Sequence, residues 1–187
     1  SRKLDSTKAA ATALANNFLL EYACITIARY PALGPLIRGL LYLSIENMSL
    51  DSEVFSKMVI NCQKCPRLVA FATETKNKGR KSDFEIDDYW CKPVPSFGNL
   101  NANALIIGLA PGRHGAGRTG RPFTGDYAGD ILYKALYEAG FSNSERAVSI
   151  NDGLILKDIR ITNAVRCVPP QNRPLNDEIN NCRPYLI

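Results

Sequence analysis

The stretch that most limits how this chain can fold is residues 103–140, NALIIGLAPGRHGAGRTGRPFTGDYAGDILYKALYEAG. It opens on a continuous apolar run closed by Pro111 and Gly112. Without polar alternation, such a run suits a strand buried on both faces, as in a parallel sheet. A helical pattern then follows, capped near Thr124 or Asp126, with Ile131, Leu132, Ala135, Leu136 and Ala139 on one face and Gly140 closing it. DIRITNAVRC, residues 158–167, predicts a second strand. Strand, loop, helix and strand in that order point to an α/β fold with a parallel sheet and crossover helices.

The loop between strand and helix carries two misleading signatures. Gly115, Gly117 and Gly120 spell the dinucleotide fingerprint, and Gly112, Gly117, Arg118 and Thr119 spell a P-loop with arginine for lysine. A dinucleotide fingerprint starts where the strand stops and places its third glycine in a helix. Here five residues separate Leu109 from Gly115, and Pro122 and Gly125 postpone the helix to about residue 126. The P-loop fails similarly, because its Lys-Ser/Thr pair begins a helix and arginine does not reproduce a compact ammonium contact. What remains is a long loop with a histidine, three arginines, a phenylalanine and an aspartate at the carboxyl end of a strand, where α/β proteins place ligands. The alternative is a plain crossover whose glycines turn the chain.

Residues 9–45 are apolar but broken by Asn16, Asn17, Glu21, Arg29, Pro31, Pro35 and Arg38. No run of ~18 clean apolar residues spans a membrane. We expect a helix up to about Arg29, a Pro/Gly break and a second apolar segment, making residues 1–58 an N-terminal helical extension ahead of a domain over 59–187. The net charge is +5, and KNKGRK at 76–81 and RHGAGRTGR at 113–121 concentrate seven Lys or Arg. Such runs suit a polyanion or a solvated face.

Cysteines stand at 24, 62, 65, 91, 167 and 182. No secretory leader is evident, so a reducing compartment and metal ligation are expected for those that cluster. Cys62 and Cys65 (C-x2-C), joined by Cys167 and Cys182, make a four-thiolate set that zinc and a 4Fe-4S cluster both accept. Cys24 and Cys91 read as small hydrophobes.

Four segments, CQKCPRL, GLAPGRHGAGRTGRPFTGD, ITNAVRCVPPQNRP and CRPYL, together resemble the family 5, or B-type, uracil-DNA glycosylases of the iron-sulfur branch. The resemblance runs from about Ile60 to the last residue. It implies a three-layer α/β/α fold with a central parallel sheet. It also implies a monomeric, cytoplasmic, nucleoid-associated prokaryotic enzyme that removes uracil or other deaminated bases, such as hypoxanthine, from DNA in base-excision repair. Cys62, Cys65, Cys167 and Cys182 would hold the 4Fe-4S cluster. Phe123 would stack on the flipped base, Asn163 would read its edge, and Gly108, Ala110 and Asn172 would line the base pocket. Asp126 and His114 would be catalytic, while Arg113, Arg118 and Arg121 would hold the DNA backbone.

Three departures qualify the resemblance. Ala110 stands where the best-known uracil glycosylases carry an aspartate over the sugar. Gly117 replaces an asparagine expected in the loop, and that replacement creates both false signatures. The superfamily's second catalytic motif, a His-Pro-Ser type loop, is not found before Ile187, so the resemblance implies a domain lacking its C-terminal part. The other reading is a non-catalytic DNA-binding domain with a structural four-cysteine zinc site.

Overall fold

The computed structural model of the chain describes residues 26–29, 45–78 and 80–186. Three strands form one sheet: β1 (Thr26–Arg29), β2 (Ala104–Gly108) and β3 (Ile159–Asn163), in that order. β2 and β3 are parallel, with Ile106 opposite Ile161 and Gly108 opposite Asn163. β1 adds antiparallel to the other edge of β2, Ile27 opposite Ile106. The helix expected up to Arg29 is therefore corrected where it is described, since Thr26–Arg29 are extended and hydrogen-bonded to β2. The rest of that expected helix, with Cys24, lies outside the described residues.

The helices are α1 (Ile45–Ile60), α2 (Pro66–Lys78), the four-residue α3 (Ala116–Thr119), α4 (Tyr127–Glu138) and α5 (Asn176–Cys182). α1 crosses the expected domain boundary between Met58 and Val59, and Val59 is buried. α2 starts directly after Cys65 with Pro66 in its first turn, where the missing N–H costs nothing. α4 connects the parallel strands as a crossover.

Parallel pairing puts opposite residues on the same sheet face, and this places the core. Ile106, Ile159 and Ile161 share a face and pack against Leu132, Tyr133 and Leu136 of α4, with Leu154 and Leu156 beside them. Gly129, Leu132, Tyr133 and Leu136 are the buried positions of α4. The expected face is thus rotated: Ile131 and Ala139 stand in solvent, because Tyr133 and not Ile131 completes the i, i+3, i+4, i+7 stripe. On the other sheet face Leu105, Arg160 and Thr162 stand near Phe55 of α1 and Tyr185. A second cluster joins Cys65, Leu68, Val165 and Cys182.

Arg121 is the clearest correction to the expected DNA contacts. It is 2% exposed, and its guanidinium donates to the Asp152 carboxylate, to the Ser149 carbonyl and to Thr124 Oγ1. Asp152 also accepts from the N–H groups of Val148, Ser149 and Leu154. Burial pushes this carboxyl up, but Arg121 and the three N–H donors hold it well below the usual carboxylate range. Arg121 therefore closes the 148–154 loop onto the core instead of facing solvent.

Removing one partner of a buried pair strands the other charge, which costs about 3–5 kcal/mol. Asp152→Ala is expected to lower stability by that order in urea unfolding. A depressed carboxylate stabilises the fold above its unfolded pKa and ceases to as pH falls through the folded value. Wild-type stability is therefore expected to drop on acidification below about pH 4, and the Asp152→Ala curve to be flatter there.

Candidate active site

At the carboxyl ends of β2 and β3 lies an open pocket of about 260 Å³. Gly108, Ala110, Phe123, Asp126, Asn163 and Asn172 all line it, so six of the residues singled out in the sequence meet there. Asn163 ends β3 and is 3% exposed. A Cβ on Gly108 would lie 2.4 Å from Asn163 Oδ1 and 2.7 Å from Phe123 Cζ. Only a glycine lets the ring and the amide meet over the last rung of the sheet. Phe123 serves two ends, since it packs in the core cluster and lines the pocket, and it does so at φ 52°. A left-handed phenylalanine is strained, and such residues persist where surrounding structure over-determines them. Asn172 shares this conformation at φ 56° in a short 3-10 turn, Pro170–Asn172, and remains exposed at the rim.

Asp126 resolves a competition visible in the sequence. It is the N-cap of α4, with Oδ1 accepting from the Gly129 N–H at 2.9 Å. Its other oxygen is turned toward the glycine loop, where a Cβ on Gly115 would sit 2.1 Å from Oδ2. The carboxylate thus divides its two oxygens between cap and pocket. Burial raises its pKa above the ordinary aspartate value, against the pull of the Gly129 N–H. An oxygen that is desolvated and not hydrogen-bonded by the cap is the better proton acceptor.

The basic loop is more structural than its composition suggests. Arg118 donates through Nε to the His114 carbonyl at 2.8 Å and through Nη1 to Asp87 at 2.7 Å, with its guanidinium 4.0 Å over the Phe84 ring. Its guanidinium therefore ties segment 84–91 to the loop. Arg113 lies 4.8 Å over Phe71, and its Nε is buried with no hydrogen-bond partner among the described residues. His114 does not line the pocket; its Nδ1 stands 2.9 Å from the Tyr89 hydroxyl. Gly117 packs so closely that a Cβ would lie 2.4 Å from Val168 Cγ2. An asparagine there requires Val168 to move, and Val168 is the residue after Cys167. Asp87 and Tyr89 escaped the sequence reading, because an acidic run beside a basic one looks like a solvated face.

Cys62, Cys65, Cys167 and Cys182 come together around one small pocket, closed by Val59, Val69 and Tyr185. Burial first, and then the three neighbouring thiols, push Cys167 up to about 12. Burial likewise raises Cys65 and Cys182. Two donors already point at sulfur: the Arg166 N–H at 3.4 Å from Cys182 Sγ and the Asn181 amide at 3.8 Å from Cys65 Sγ. A bidentate pair, Arg67 Nε and Nη2 to Glu178 at 2.8 Å each, ties α2 to α5 and so Cys65 to Cys182. Crowded thiols that burial holds in the protonated form, with N–H donors already aimed at sulfur, suit a cationic group that takes them as thiolates. No set of three or more His, Cys, Asp or Glu side chains among the described residues is arranged to hold a metal ion. Cys91 stands apart from the four, half-buried, at φ 46°.

No helix among the described residues is long and apolar enough to cross a membrane. Residues 95–187 match the uracil DNA glycosylase superfamily. The chain is 45% identical over 132 residues to a type-5 uracil-DNA glycosylase of Pyrobaculum aerophilum, covering 71% of this chain and 57% of the relative. It is 47% identical over 133 residues to the type-5 enzyme of Thermus thermophilus, covering 71% and 59%. To that of Mycobacterium bovis it is 49% identical over 125 residues, covering 67% and 46%. The chain thus spans about half to three fifths of the length of these curated relatives. The matched region takes in both parallel strands and every pocket residue named above, and on that ground the chain belongs to the uracil-DNA glycosylase superfamily.

Proposed function

We propose that this chain forms the base pocket of an enzyme that removes uracil, and other deaminated bases such as hypoxanthine, from DNA by hydrolysing the N-glycosidic bond. It would act as a monomer in base-excision repair on nucleoid DNA in a prokaryotic cytoplasm. The observation that carries this reading is one pocket holding an aromatic ring, a buried amide and a carboxylate oxygen left over from a helix cap. A base taken out of the stack finds Phe123 for its face, a contact worth ~1–3 kcal/mol. Asn163 offers both a donor and an acceptor to the edge of the base. Water attacks C1′ of the sugar while Asp126 Oδ2 accepts its proton. The C1′–N bond breaks, its electron pair leaves with the base, the anionic base takes a proton from solvent water, and Asp126 returns the proton it accepted to solvent. Ala110 brings no carboxylate to the pocket, which leaves Asp126 as the acid group lining it among the described residues. Of the basic residues in the loop, Arg113 would reach a phosphate through the outer nitrogens of its guanidinium, a contact that positions without specifying.

Cys62, Cys65, Cys167 and Cys182 would hold a 4Fe-4S cluster. Zinc holds each sulfur at ~2.3 Å and so draws four thiolates tightly around one ion; a cubane takes each at a separate iron and accepts a wider ring. The four cysteines line one pocket and so bring together the thiolate set such a cluster needs. Bound there, the cluster supplies a tie between the start of α2, the segment after β3 and the end of α5. A non-catalytic DNA-binding domain is less favoured, because it gives no reason for Gly108 and Gly115 to yield room to Asn163, Phe123 and Asp126.

With a uracil-containing oligonucleotide and alkaline cleavage as the readout, Asp126→Asn is expected to abolish detectable strand scission. A carboxyl with a raised folded pKa stabilises the fold only below its unfolded value and costs stability once ionised. Asp126→Asn, which keeps the cap, is therefore expected to melt at or above the wild-type temperature at pH 7. Asp126→Ala loses the cap and about 1 kcal/mol. Gly115→Ala displaces the same carboxylate and is expected to cut activity at least tenfold in a folded protein; full activity there would sink the role of Oδ2. Anaerobically purified chain should be brown with about four irons, and Cys167→Ser should be colourless and less stable. A colourless wild type with one zinc would overturn the cluster.

A further inference from the structure

Tyr89 is 2% exposed, and its hydroxyl meets two groups of opposite need. The Lys81 backbone N–H, 3.4 Å away, can only donate to it. His114 Nδ1, 2.9 Å away, can either donate or accept. A phenol carries one proton and two acceptor lone pairs. If Nδ1 held a proton, the phenol oxygen would receive two donors and its own buried proton would need a third partner. If Nδ1 is bare, the phenol donates to it and every group is satisfied.

We propose that Tyr89 is a positioning residue that holds His114 as a neutral imidazole with its proton on Nε2, so that the loop presents one N–H donor to an anionic oxygen of the DNA backbone. The groups facing this pair agree with a neutral ring. Arg113 and Arg118 flank the histidine on its own loop. Lys81 approaches from the neighbouring segment, and Arg80 lies 5.8 Å over the Tyr89 ring. Of the acids on that segment, Asp87 is engaged by Arg118 and Asp83 by Lys81, while Asp88 stands next to Tyr89 in the chain. Burial and then these cations hold His114 below the usual histidine pKa. His114 is turned to Tyr89 and away from the base pocket, so its donor serves the strand and not the departing base. What the N–H contacts rests on the glycosylase reading; which nitrogen carries the proton does not.

The chain has a single histidine, so ring-15N-histidine labelling gives one pair of nitrogen signals without assignment. In the wild type, Nε2 is expected at a protonated shift and Nδ1 at a bare shift moved by an accepted hydrogen bond, with a titration midpoint below that of free histidine. Tyr89→Phe, nearly isosteric, should remove the hydrogen-bond displacement of Nδ1 and raise the midpoint toward free histidine. Affinity for a uracil-containing duplex should fall several-fold in that variant. A wild-type spectrum with Nδ1 protonated or with averaged tautomers overturns the proposal, as does a Tyr89→Phe spectrum identical to wild type. The predicted spectra with no cleavage by the wild-type chain would uphold the tautomer and discard the glycosylase reading instead.

Discussion

The parallel pairing of β2 with β3 ends on the rung Gly108–Asn163, and the pocket depends on how closely atoms approach there. Parallel register turns both residues to the face covered by α4. One of them has no side chain, and the space it leaves is occupied from above by the Phe123 ring and from the side by the Asn163 amide. The loop from Leu109 to Asp126 is consequently held down at both ends: by the sheet at Gly108 and by the α4 cap at Asp126. A side chain at Gly108 would separate the aromatic face from the hydrogen-bonding edge, and a side chain at Gly115 would push the carboxylate out.

Charge in this protein is spent largely on holding loops. Three arginines look alike in the run 113–121, yet each meets a different environment. Arg121 is sealed against Asp152 under the 148–154 loop. Arg118 bridges the His114 carbonyl and Asp87 across an aromatic ring. Arg113 lies over the Phe71 ring, its Nε buried with no hydrogen-bond partner among the described residues. Desolvating a guanidinium is costly unless its donors are used, and the 80–91 and 148–154 segments supply the acceptors.

The cysteine pocket and the base pocket lie at opposite ends of one continuous piece of packing. Val165 and Cys167 follow β3 directly, and Ala110 of the glycine loop packs on the same cluster as Cys65 and Cys182. The Arg67–Glu178 pair draws α2 and α5 together across it. Through that cluster, whatever tightens the four sulfurs also tightens the segment that carries Asn163 at its start and Asn172 at its end.

The apolar run through Ile106, the helix capped by Asp126 and the C-x2-C pair were legible because each is a local pattern: uninterrupted hydrophobicity, a cap before a 3.6-residue period, two thiols one turn apart. The resemblance to the glycosylases singled out Phe123, Asn163, Asn172 and Asp126, and the four line one pocket. The roles of the arginines were not legible, since sequence reports a charge but not its burial, and three identical side chains met three different sets of acceptors. The burial of Tyr133 in place of Ile131 was decided by the angle at which α4 meets the sheet. Sequence alone determined the unit of β2, α4 and β3 and which residue types chemistry would need. Only the tertiary structure decided which oxygen of Asp126 faces the pocket, which arginines are tied to Asp87 and Asp152 and which partner holds His114, because those depend on contacts between segments distant along the chain.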